Sequence, residues 1–179
     1  MGNGLLNSPY FGDMDDTATI GEFVPATAAV ALAGIMRMLL VRNTDVKFNC
    51  GERIYHQMAA EGLKQPHIVI NRVSAERPRT MEGTINYVRG LMRIDVYAPT
   101  LPQWSAVVKA VGESLENPNA DGVVMTAAKQ QGFVISYLEL DDEQDIPNQP
   151  LEGQPGPSMY GTALFFNYMI ERPAQPPEE

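Results

Sequence analysis

The sequence predicts an α+β domain: an antiparallel four-stranded sheet, two helices packed on one of its faces, and extended arms at both ends. Three observations lead there. Two β-branched segments, His67 to Val73 and Thr84 to Tyr97, are separated only by the charged stretch Ser74 to Glu82. Two more, Gly132 to Leu140 and Tyr160 to Ile170, flank an acidic stretch rich in Gly, Pro and Gln, Asp141 to Pro157. Neither connection contains an evident helix, so each pair is read as antiparallel, and two helical segments elsewhere cover one face of the resulting sheet.

At 179 residues the chain is long enough for one domain with its own core. Residues 1–24 read as an N-terminal arm, punctuated by Gly2, Gly4, Pro9 and Gly12, with Tyr10, Phe11 and Phe23 as isolated anchors. Such a segment buries too little apolar area to order itself, and orders on a neighbouring subunit instead. Residues 25–172 read as a single domain and 173–179 as a Pro-rich tail. Pro25 suits a first helical turn, where its missing N–H has no intrahelical partner to lose. Ala26 to about Val41 is then a helix apolar on nearly every face, hence buried on more than one side, and Asn43 and Thr44 end it.

Val46 to Asn49 and Arg53 to Tyr55 read as short strands or extended connections, and Met58 to Gln65 as a polar loop. Pro66 biases Gln65 toward an extended conformation and opens the first long strand. In the second, Met92, Ile94 and Val96 share one face and Leu91, Arg93, Asp95 and Tyr97 the other, while Gly90 in mid-strand predicts a bulge or bend. A helix opens at Thr100 or Pro102 and runs to about Asn117, with Trp104, Val107, Val108, Val111 and Leu115 on one stripe. In the last strand Tyr160, Thr162, Leu164, Phe166, Tyr168 and Ile170 share a face.

Net charge is −9, unevenly placed: residues 130–179 carry Arg172 against nine acids, whereas residues 1–129 are nearly neutral. An acidic surface repels phosphate backbones, which disfavours a nucleic-acid grip and is compatible with DNA sliding past. Nothing reads as a signal peptide, since Asp13, Asp15 and Asp16 stand where an apolar core would be, and the apolar run Ala28 to Val41 is too short to span a bilayer. Leu6 replaces the Ser or Thr of a myristoylation signal.

Chemistry-bearing patterns are sparse. A calcium loop counted from Asp13 needs Gly and Glu where Ala18 and Val24 stand. Cys50 is the single cysteine, so neither an intrachain disulfide nor a cysteine zinc cage is possible. His56 and His67 lack the helical spacing of a zinc hydrolase, and no phosphate-binding glycine loop is present. A small hydrolase built on Cys50, His56 and His67 is the enzymatic alternative, resting on the nearness of Arg53 and His56 to the thiol.

Denser is the arginine set Arg72, Arg77, Arg79, Arg89 and Arg93, interleaved with Glu76, Glu82 and Asp95. The set reads either as a mixed-charge surface or as arginines that pair with acids on a neighbouring protomer, since guanidinium forks match carboxylates well and the acidic C-terminal portion offers complementary groups on another copy. Two complementary patches on one subunit are what a head-to-tail ring requires.

Three stretches carry a resemblance. Arg53–Ile54–Tyr55 is followed by a loop containing Gly62 and by Pro66 leading into Ile68–Val69–Ile70. Arg93–Ile94–Asp95–Val96–Tyr97 leads directly to the Trp104–Leu115 stripe, and the last strand contains Phe165–Phe166–Asn167–Tyr168. Over residues 26–171 this order resembles the tail-completion, or tail-terminator, proteins of long-tailed bacteriophages. The resemblance implies a homohexameric ring that caps the head-proximal end of the tail tube, contacts the tube protein and the head connector, and lets DNA pass through its lumen. It implies a virion location after assembly in the host cytoplasm, and neither catalysis nor a cofactor. Another head–tail neck adaptor is the structural alternative. On this reading Arg77, Arg79, Glu82, Arg89, Tyr10 and Phe11 meet adjacent subunits, and Asp141, Asp142, Glu143 and Asp145 line a lumen or rim. The N-terminal arm and the acidic stretch at 141–157 are longer than the family's compact pattern.

Overall fold

Helix α1 starts at Pro25 and ends at Arg42. In this computed structural model residues 25–59, 63–80, 83–84, 87–116, 128–129, 133–146 and 159–171 are described. Asn43 ends α1 and also starts the next element. Its side-chain oxygen accepts from the backbone N–H groups of Asp45 (2.9 Å) and Val46 (3.1 Å), the geometry of a helix N-cap. Helix α2 therefore runs Thr44–Cys50, where the sequence predicts extended chain at Val46 to Asn49. Asn43, which the sequence reads as a helix end, also supplies the capping oxygen that starts this second helix.

The main sheet is five-stranded and mixed, in the order β1 (Ile54–His56), β2 (His67–Glu76), β5 (Tyr87–Ala98), β7 (Tyr160–Glu171), β6 (Val134–Ile146), which corrects the expectation of four antiparallel strands. The added strand is β1, Ile54–His56, parallel to β2, His67–Glu76. Arg53 holds it there: its Nε donates to Pro66 O (2.8 Å), its Nη2 to Asn49 O (2.9 Å), and its own carbonyl accepts from Ile68 N (3.0 Å). One side chain thus ties the end of α2 to the start of β2, and the three residues between α2 and the following loop fall into register along the sheet.

Strand β5, Tyr87–Ala98, pairs antiparallel with both β2 and β7, Tyr160–Glu171. A two-residue ladder of β3, Arg79–Thr80, with β4, Gly83–Thr84, lies within the β2–β5 connection. The other edge is β6, Val134–Ile146, antiparallel to β7. Its last six residues were expected in a loop. The periodic signal fails there because the register shifts twice, between Ile135 and Tyr137 and between Leu140 and Asp142, and each shift exchanges the faces.

Even-numbered positions of β2, β5 and β7 form the core face: Ile68, Ile70, Met92, Ile94, Val96, Leu164, Phe166, Tyr168 and Ile170 are all buried. They pack against α1, through Leu32, Met36 and Leu40, and against α3, Leu101–Leu115, through Val107, Ala110, Val111 and Leu115. Nearly thirty residues join in this one cluster on one side of the sheet. Hydrophobic burial of this extent is what fixes the strands and leaves the opposite face and both edges to other tasks.

The irregularity predicted at Gly90 belongs to its neighbour strand: β2 carries an extra residue between Arg72 and Ser74, while β5 pairs evenly with β7. Gly90 instead provides room. A Cβ there would stand 2.2 Å from Ser74 O and 2.6 Å from the Tyr168 hydroxyl, which donates to that same carbonyl at 3.0 Å.

Candidate functional site

At the end of the sheet where β5 meets α3, the helix start and the β6–β7 edge enclose a notch of about 260 Å³ lined by Leu101, Trp104, Asp145, Ile146, Tyr160 and Gly161. Its order comes from a chain of hydrogen bonds. Trp104 Nε1 donates to Thr162 Oγ1 (3.0 Å), and the Thr162 hydroxyl donates to Asp145 Oδ1 (3.3 Å). Thr162 is 0% exposed, so α3, β7 and β6 are joined by one buried hydroxyl that both accepts and donates. The Trp104 and Tyr160 rings stand 6.2 Å apart at 38°, and Leu101 (53% exposed) and Tyr160 (38%) open to solvent. Aromatic walls and a fixed carboxylate give this notch an apolar body and a negative rim. It is smaller than a typical small-molecule site and of a size for a single protruding side chain.

The sheet face away from the helices carries a polar centre. Arg93 Nε donates to Asp95 Oδ1 at 2.6 Å, Asn71 Nδ2 donates to Asp95 Oδ2 at 3.1 Å, and the Arg93 guanidinium lies 5.9 Å from the centre of the Phe165 ring. Asp95 is buried, and its two oxygens each hold a donor from a neighbouring position of the sheet. Beside it His67 stacks on Tyr97 with centroids 4.9 Å apart, and its Nδ1 lies 2.8 Å from Gln65 O. Burial lowers the His67 pKa, partly opposed by that backbone contact, and the Arg53 charge lowers it further. Burial raises the Tyr97 pKa, and Asp95 adds to it.

The hydrolase trio does not converge. Cys50 is fully buried on the helix side, and burial pushes its thiol up to about 11, away from the thiolate a nucleophile needs. His56 is paired with Ile70 and His67 with Tyr97, which places the two imidazoles on opposite faces of the sheet.

The residues expected at a lumen or rim lie together on strand rather than loop. Asp141, Asp142, Glu143 and Asp145 occupy the exposed second half of edge strand β6. Asp142 accepts from Glu143 N and from Gln144 Nε2, while Asp145 belongs to the notch. Arg89 lies at the other end of the sheet, where its Nη2 approaches Glu76 Oε2 at 3.5 Å with both side chains more than half exposed. Arg77 is half-buried just before β3, and Arg79 pairs through its backbone with Thr84. Tyr10, Phe11 and Glu82 lie outside the described residues.

Sequence reasoning missed the Trp104–Thr162–Asp145 chain. It placed Trp104 on the apolar stripe of α3 and Thr162 among the apolar residues of β7. Each was the anomaly of its set: an indole N–H and a hydroxyl require partners when buried, and together they identify each other.

No family model and no curated protein matches the chain. Among solved structures, a chain of the virion of the native gene transfer agent (GTA) particle has a similar fold, with a TM-score of 0.51 and 15% identity. The match covers 80% of this chain and 97% of that one. The present chain therefore shares its fold with a virion component.

Proposed function

We propose that the protein is a structural component of a phage-type virion, forming a ring, hexameric by resemblance, that caps the head-proximal end of the tail tube and joins it to the head connector. The observation that carries this reading is the fold held in common with a chain of a virion particle over nearly the whole of that chain. The order of motifs in residues 26–171, similar to tail-terminator proteins, narrows it to the tail end of the neck. Charge supports self-assembly: Arg77, Arg79 and Arg89 belong to the β2–β5 hairpin end, and Asp145 to the opposite end of the sheet. A subunit with unlike patches at opposite poles associates head to tail, and closes when the rotation between copies divides a full turn.

In the ring, Tyr10 and Phe11 of the arm and Glu82 of the hairpin reach the adjacent subunit. The acids of β6 face the lumen or its rim and repel the passing phosphate backbone. The direct test is electron microscopy of particles assembled without this chain. Overlong tails that carry no head are expected. Tails of normal length that carry no head point to the neck adaptor reading instead, and intact particles refute both. The double substitution D141K/D142K is expected to slow DNA ejection in a salt-dependent manner. Unchanged ejection removes the lumen role of these two acids.

A further inference from the structure

The notch at the α3–β6–β7 corner is built to receive a cation on an apolar stem, and we propose that it takes the Arg89 side chain of a second copy of this chain. The inference rests on the ring reading and specifies the contact that would hold the ring together.

Three features select the occupant. The lining combines the Trp104 and Tyr160 rings with the Asp145 carboxylate, and a guanidinium satisfies both by stacking on an aromatic face while pairing with an acid. Two groups of the receptor are already tied together before anything enters it. Buried Thr162 fixes the indole through its N–H and the carboxylate through Oδ1, so little ordering remains for the incoming group to supply. The volume of about 260 Å³ accommodates one long side chain. The carboxylate on the rim disfavours a phosphate or another acid.

Arg89 fits the other half of the contact. It projects from β5 at the hairpin end with its side chain 62% exposed, and its 3.5 Å pairing with Glu76, itself 65% exposed, is of the weak and exchangeable kind. It cannot reach the notch of its own chain. Arg89 is level with Met169 and Asp145 with Thr162, seven residues apart on β7, or about 23 Å at ~3.3 Å per residue. Donor and receptor therefore sit at opposite poles of one subunit, as a head-to-tail contact requires.

The test uses disulfide trapping in the full-length chain. Arg89→Cys and Asp145→Cys are combined in one chain and oxidised, with each single substitution as a control and native mass spectrometry of the unsubstituted chain alongside. Cys50 is buried and stays silent. A covalent ladder from dimer up to a closed ring is expected from the double variant, and dimers at most from either single one. Absence of the ladder in a double variant that native mass spectrometry shows still forming a ring overturns the notch contact and leaves the ring reading standing. Absence of a ring from the unsubstituted chain overturns both. A conservative arm separates charge from fold: Asp145→Asn keeps an acceptor for Thr162 but loses the charge, and is expected to weaken ring formation at least tenfold. Ring formation unchanged in this variant overturns the proposal.

Discussion

Replacing Gly90 by Ala tests how the sheet is closed over its own bulge. The added Cβ would meet Ser74 O at 2.2 Å, the Tyr168 hydroxyl at 2.6 Å and Tyr168 Cζ at 2.8 Å, all inside contact distance. Ser74 O is backbone in a strand paired along its length, so the strands must separate locally or the tyrosine must leave. Overpacking of this kind costs about 1–3 kcal/mol. Losing the bond from the Tyr168 hydroxyl to Ser74 O adds about 1 kcal/mol. A total near 3 kcal/mol, with a urea dependence of about 2 kcal/mol per molar, lowers the unfolding midpoint by roughly 1.5 M. Tyr168→Phe alone is expected to cost about 1 kcal/mol. On that background Gly90→Ala should cost less than in the parent, because the hydroxyl clash and the bond are already gone, while the clash with Ser74 O remains. The measurement is a four-variant cycle of urea unfolding curves. A midpoint unmoved by Gly90→Ala, or a penalty identical on both backgrounds, would refute the crowding argument.

Thr162→Val leaves the Trp104 indole N–H without its acceptor and should destabilise the chain by about 1–3 kcal/mol. Because Trp104 is the single tryptophan, its emission should shift red in the same variant as the notch loosens. Asn43→Ala removes the α2 cap and should cost about 1 kcal/mol in thermal or urea unfolding, with Asn43→Asp intermediate because it keeps the capping oxygen but loses the Nδ2 donation to Ala110 O (3.4 Å). Cys50 should resist iodoacetamide at pH 8 in the native state and react fully in denaturant, because its thiol is buried and protonated. Its folded pKa of about 11 lies above the ordinary 9.0, so between these values the native state binds the extra proton. Stability should fall as pH rises through that window and level off above it, and a Cys50→Ala variant should lose this part of the slope.

The elements with long, uninterrupted periodicity were legible in the sequence. The Val107–Val111–Leu115 stripe, the Met92–Ile94–Val96 face and the even-numbered row of β7 from Thr162 to Ile170 are all buried as their spacing requires, while Tyr160 at the start of that row is exposed. The two sheet edges were not. Strand β1 is three residues held by Arg53, and no pattern of hydrophobicity extends over so short a span. The distal half of β6 is exposed, acidic and twice out of step, so it resembles loop chemistry although it follows β7 to Ile146. Helix α2 was hidden for another reason: its signal is a local cap at Asn43, which propensity summed over a window does not register. The acids foreseen for a rim were visible as charge but not as strand. The notch was invisible because its members come from three distant segments.

Those two edges bear on how copies of the chain can meet. An unpaired strand edge is a template for indiscriminate joining, the route by which sheet proteins coalesce. One border is the three-residue β1, which covers Ile68–Ile70 of β2, and the other bears four carboxylates along its outer half. At the acidic border, like charges oppose backbone-to-backbone pairing between copies, which favours contact through side chains that recognise one another.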